Sequence, residues 1–107
     1  MPMYLHQWRY KDEQVKPMLV EKAERVDEVR TATEAFGGTL HQFFFCLGDY
    51  DGLAIAEFPD DESALACLMT HYTLGRVHSI KSTPLIGPAG IVNAKTKARR
   101  VLGLQED

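Results

Sequence analysis

Five residues, Gly48-Asp49-Tyr50-Asp51-Gly52, separate two runs of β-forming residues and force the chain back on itself. Glycine admits positive φ and an aspartate side chain bonds readily to nearby backbone amides. The cluster therefore predicts a hairpin between a strand over residues 39–47 and another over 53–58. A lone hairpin buries too little apolar surface to be stable in water, so its flanking segments decide the fold.

Upstream, residues 3–10 read Met-Tyr-Leu-His-Gln-Trp-Arg-Tyr, aromatic-rich and alternating in bulk, which predicts a first strand. Asp12 is placed to cap a short turn, and Pro17 should break or restart any helix there. Val26, Val29, Thr33 and Phe36 then recur at helical spacing, with Gly37 and Gly38 as the stop. Downstream, Pro59 ends the third strand. Asp60, Asp61 and Glu62 offer an N-cap and an acidic first turn for a helix whose expected buried stripe is Leu65, Leu68, Met69 and Tyr72, closed by Gly75. Residues 77–83 predict a fourth strand, and Pro84 and Pro88 bracket a loop into a C-terminal helix over about 89–102.

The order β, α, β, β, α, β predicts an α+β, ferredoxin-like fold: a four-stranded antiparallel sheet with two helices on one face, and an extra C-terminal helix. With 107 residues there is room for one core, in a domain over 1–87 and a helical tail over 88–107 packed on it. Apolar residues at 45% and charged residues at 25% are globular values. No apolar run approaches the roughly 20 residues that cross a bilayer, and no basic start followed by an apolar stretch opens the chain. A cytoplasmic protein with no membrane partner is expected.

The sheet's second face needs a cover. Phe43, Phe44 and Phe45 put aromatic bulk on both sides of the second strand, whereas an antiparallel sheet with one wet face should alternate. Packing against a copy of itself predicts a homodimer, or a higher homo-oligomer. With Leu47 opposite Leu53, Phe45 would face Ile55 and Phe43 would face Glu57. Small Ala54 and Ala56 best complement Tyr4, His6, Trp8 and Tyr10 beneath the helices, which leaves Leu5, Gln7 and Arg9 with Ile55 and Glu57 on the dimer side. A one-residue slip would invert every side chain.

With the Phe-rich strand before it and Ala-Ile-Ala-Glu-Phe-Pro-Asp-Asp after it, the turn at Gly48, Tyr50 and Asp51 resembles the GYD-domain family, from about Tyr4 to Pro84. The resemblance implies a fold of the dimeric α+β barrel group. It carries over no catalytic residue, and the basic tail lies outside it.

Three functions remain open. The first is a small-molecule cavity between each sheet and its partner or helices, with Arg9 holding an anionic group, Gln7 or Glu57 orienting it, and His41 and Tyr50 as further candidates. The bland counterpart is that Arg9 and Glu57 form a salt bridge or reach solvent, and that Asp49 and Asp51 serve only the turn. The second is a cofactor-independent enzyme, monooxygenase- or isomerase-like as in the barrel group, with His41, His78, Tyr50 and Asp51 as acid-base types. His6 reads as a core residue. The third is an interaction or regulatory module that uses Lys95, Lys97, Arg99 and Arg100, followed by Glu106 and Asp107.

No metal site is expected, because His6, His41, His71 and His78 fall on four elements without zinc-type spacing. No cofactor is expected either, although one histidine could hold haem. The net charge of −3 argues against nucleic acid, and Cys46 and Cys67 read as inert core thiols.

Overall fold

The computed structural model describes residues 1–104. Its strands are β1 (Met3–Tyr10), β2 (Thr39–Phe45), β3 (Gly52–Glu57) and β4 (Val77–Leu85). They form one sheet in the order β2-β3-β1-β4, every neighbouring pair antiparallel. Among the described residues there are four α-helices: α1 (Val15–Val20), α2 (Arg25–Ala35), α3 (Asp61–Thr73) and α4 (Pro88–Leu102). The fold is α+β. No helix of the described residues is long and apolar enough to cross a membrane.

The face assignment of β1 follows its alternation. Tyr4, His6 and Trp8 are buried beneath α2 and α3 opposite Ala56, Ala54 and Gly52, while Leu5 and Gln7 point the other way opposite Ile55 and Leu53. The inner core joins Tyr4, Ala56 and Phe58 to Ala64 and Cys67 of α3, with Ala32 and Phe36 packed against them. Asp60 caps α3 by accepting the Ser63 N–H at 2.7 Å, as its position before an acidic turn implies.

Two expectations fail by register. In the hairpin, Phe45 pairs with Gly52 and Phe43 with Ala54, not with Ile55 and Glu57. Phe43 and Phe45 therefore share the helix side, with the Phe43 and Trp8 ring centroids 5.3 Å apart, and only Phe44 of the three turns to the open face. The Cys46 N–H donates to the Asp51 carbonyl at 2.8 Å, so the ladder runs further into the turn than its glycines suggest. In α3, the buried residues are Ala64 and Cys67; Leu65, Met69 and Tyr72 are exposed. The small inward residues pack against Phe58 and Tyr4, while Leu68 of the expected stripe is half-buried on the inner side.

β4 continues through Pro84 to Leu85, beyond the expected end at Thr83. It is an edge strand, where a residue without an N–H is tolerated. The Tyr72 hydroxyl covers that edge, accepting the Ile80 N–H at 2.8 Å. Cys46, expected in the core, is only half-buried, because it stands at the turn and not within a strand.

α4 does not pack on the rest of its own chain. None of its residues is buried, and the molecule is 61 Å long, about twice what a nine-residue strand spans. The connection from β4 is two residues, and Ile86 lies over Gly90, where a Cβ would come within 2.3 Å of it. Glu106 and Asp107 lie outside the described residues.

Candidate functional site

Between the sheet and helices α2 and α3 lies a cavity of about 530 Å³. Its floor is His6, Trp8, Ala54 and Ala56, and its roof includes Ala32 of α2 and Leu68 of α3. The small side chains leave this space: two alanines on β3 and further small residues on the facing helices do not meet across it. Its volume falls within the range of about 300 to 1,000 Å³ typical of small-molecule sites.

The polar groups in this space are distinctive. Its charged lining residues are Arg25, Asp27, Glu28 and Arg76, and each is neutralised within the chain. Arg25, only 5% exposed, reaches Glu21 at 2.7 Å and lies over the Tyr10 ring; Arg30 holds Asp27 at 3.0 Å; Arg76 pairs with Glu28. No charge is left over for an ionic ligand.

Two histidines line the same cavity. His6 stacks on Tyr4 and its Nδ1 lies 2.7 Å from the Ser82 Oγ. Burial, with His71 nearby, pushes its pKa down to about 4, so the ring is neutral at pH 7. Among the described residues its Nε2 has no hydrogen-bond partner. No fully buried side-chain nitrogen or oxygen among the described residues lacks a hydrogen bond, so Nε2 must border open space, which here is the cavity. His71 is likewise held below its ordinary pKa, by burial first and then by Arg76. Cys67, also on the lining, has its thiol pushed up to about 11 by burial.

The residues singled out from the sequence lie elsewhere. Gln7, Arg9, His41, Tyr50 and Glu57 do not line this cavity. His41 sits at a bulge in β2, which brings its Nε2 to 2.9 Å from the Glu57 Oε1 on the open face. Gln7 is half-buried on that face. Arg9 instead braces the turn, donating from Nη1 to the Asp49 carbonyl at 2.8 Å. Tyr50 is half-buried at the turn.

The turn's own logic is visible in Asp51. Its N–H donates to the Trp8 carbonyl and its Oδ2 accepts the Tyr10 N–H, both at 2.8 Å. One residue thus continues the β1 ladder past the end of β3, using its side chain where the backbone has turned away. Arg9 and Asp51 explain the motif as architecture.

His71, Arg25 and Arg76 were not legible as site residues. The sequence does contain a second helical stripe, Ala64, Cys67 and His71, which shares Leu68 with the expected one. Its smaller residues are a weaker hydrophobic signal than Leu65, Met69 and Tyr72. Among the described residues, no three His, Cys, Asp or Glu side chains are placed to hold a metal ion.

Comparison with known families matches the GYD domain over residues 4–94, from β1 into the first half of α4. The match extends the resemblance seen in the sequence past Pro84. No curated protein matches the chain.

Proposed function

The chain belongs to the GYD-domain family, and on that premise we propose that it is a ferredoxin-like, homodimeric protein that holds an uncharged, largely apolar organic molecule between sheet and helices. One observation carries the reading: a cavity of about 530 Å³ in which every charged lining residue is already paired and His6 Nε2 is left without a partner. An ionic ligand would have to break one of these pairs and strand a charge, which is costly away from water. A hydroxyl or carbonyl on an apolar skeleton needs only the His6 nitrogen, as acceptor or donor according to tautomer. The His6–Ser82 pair has the atoms of a base and a nucleophile, but a pKa of about 4 makes His6 a weak base at neutral pH. That favours binding over the enzymatic reading.

The second copy belongs on the open sheet face, giving the dimeric α+β barrel. Leu5, Leu53 and Ile55 lie there with exposed Phe44, and Gln7 and the His41–Glu57 pair would meet the partner among them. A contiguous apolar face of this kind is unusual on a monomer.

The test uses N-phenyl-1-naphthylamine, a neutral apolar fluorophore. Wild-type protein should bind it once per chain, and Ala56→Leu, which fills the cavity floor, should weaken binding at least about tenfold; Arg9→Ala should not. Absence of binding, or equal binding by Ala56→Leu, would sink the cavity reading. Sedimentation equilibrium tests the dimer separately: Ile55→Glu should halve the mass of the assembly, and unchanged mass would refute that contact.

A further inference from the structure

α4 carries an apolar seam that nothing among the described residues covers. Ile91, Ala94, Ala98, Val101 and Leu102 follow the spacing i, i+3, i+7, i+10, i+11, which places them along one side of the helix. All are exposed, Val101 at 87%. The helix is closed by Gly103 in the left-handed conformation and carries Arg99 and Arg100 in its last turn, so it is a finished element.

A matching apolar stripe stands exposed on α3, with only the Tyr72 hydroxyl engaged, at the β4 edge. Leu65, Met69 and Tyr72 recur at i, i+4 and i+7 and are 58%, 60% and 46% exposed. The two stripes complement each other in size. Large residues fill the middle of the α3 stripe, where α4 offers Ala94 and Ala98, and α4 has its bulk at the two ends. Large side chains set against small ones let helices approach closely.

Charge selects the direction. Residues 88–104 hold Lys95, Lys97, Arg99 and Arg100 and no acid, in a chain whose net charge is −3. On α3, Asp61 and Glu62 occupy the first turn and flank Leu65. Antiparallel packing sets the basic last turn of α4 beside the acidic first turn of α3 and opposes the two helix dipoles. Parallel packing would bring Arg99 and Arg100 toward Arg76, just past the end of α3.

Geometry then selects the copy. Leu85 pairs with Met3, and Asp61 accepts the Tyr4 hydroxyl, so β4 ends at the same end of the sheet where α3 begins. To run antiparallel to its own α3, α4 would first have to travel the full length of that helix, roughly 20 Å for 13 residues. Ile86 and Gly87 reach only about 7 Å. A second chain meets no such limit.

We propose that α4 of one copy lies antiparallel along α3 of a second copy, seating Ile91, Ala94, Ala98 and Leu102 on Leu65, Met69 and Tyr72, with the exchange reciprocated about a two-fold axis. The contact lies on the helix side, distinct from the open sheet face, so the two interfaces together would build a higher assembly.

The experiment mixes two single-thiol chains, both carrying Cys46→Ser and Cys67→Ala. A tagged chain adds Met69→Cys and an untagged one adds Ala94→Cys. Mild oxidation should give a disulfide-linked heterodimer, and circular dichroism of each variant checks that it is folded. As a measurement independent of the thiols, Glu62→Lys should weaken self-association about tenfold because a two-fold contact is lost twice, and Arg99→Glu in the same chain should restore it. Failure of the mixture to cross-link, with a chain carrying both new cysteines closing on itself at high dilution, would overturn the exchange in favour of docking within one chain. Co-sedimentation with phosphatidylserine vesicles and no cross-link would assign α4 to a lipid surface and overturn it equally. Both outcomes leave fluorophore binding in the cavity untouched, so this inference can fail without the binding reading failing.

Discussion

The indole of Trp8 lies directly on the backbone of Gly52, so close that a Cβ at position 52 would stand 2.5 Å from the six-membered ring. That contact explains the second glycine of the turn. Its role is to let the largest aromatic of β1 lie flat across β3 and meet Phe43 on the far side. Gly52→Ala should therefore destabilise the protein by about 2 kcal/mol or more, since neither the strand nor the ring can move without disturbing the other. Urea unfolding measures it. A change below about 0.5 kcal/mol would show that the ring has somewhere else to go.

How far the sequence could be read is clearest around this contact. β1 was legible because Tyr4, His6 and Trp8 alternate with smaller or polar residues, and a strand's period of two fixes both faces at once. β2 was not, because Phe43, Phe44 and Phe45 have no alternation to read. Its register depends on where the ladder ends inside the turn, and on a bulge near His41 that no local signal announces. In α3 two stripes have equal spacing, and hydrophobicity alone favours Leu65, Met69 and Tyr72. The inward stripe is the smaller one, Ala64 and Cys67 packed against Phe58 and Tyr4. The cavity was hidden for the same reason: it is made of what alanines leave empty.

Asp51 holds two ends of the motif to β1, and its carboxylate is the part that side-chain replacement can remove. Asp51→Ala leaves the Tyr10 N–H without its acceptor, and a loss of about 1 to 2 kcal/mol is expected. Asp51→Asn retains an acceptor oxygen and should recover most of it. Hydrogen exchange gives the local readout: the Tyr10 amide should lose protection in the alanine variant and keep it in the asparagine variant. Equal protection in both would mean that the side chain is not the acceptor in solution.

The two thiols should part company in reactivity. Cys67 is buried between α3 and Thr33, and desolvation raises its pKa to about 11, so at pH 8 it holds almost no thiolate and little access to reagent. Cys46 is half-buried at the turn. Titration with a chromogenic disulfide should label Cys46 first and Cys67 only on the timescale of unfolding, with mass spectrometry assigning the order. Fast labelling of Cys67 in the folded protein would show that reagent enters the cavity, and a bound apolar ligand should then slow it.

His6 makes stability depend on pH in a predictable direction. Its folded pKa of about 4 lies below the ordinary 6.5, so the unfolded chain binds the proton more tightly. Between those values the unfolded state takes up a proton that the folded state refuses. The contribution is fully present above pH 6.5, declines as pH falls through that window, and is gone below about 4. A shift of this size corresponds to about 3 kcal/mol. His71, whose pKa is also lowered, acts in the same direction. Unfolding free energies measured from pH 7.5 to 4 should fall for the wild type and fall less for His6→Gln, whose amide can still bond Ser82 but cannot take up the proton. If the two curves run parallel, His6 is not neutral in the folded protein. Because a ligand hydroxyl or carbonyl at Nε2 meets the same neutral ring, fluorophore affinity should weaken only as the fold itself weakens, and an affinity that tracks a titration near pH 6.5 in the intact protein would count against the assigned floor of the cavity.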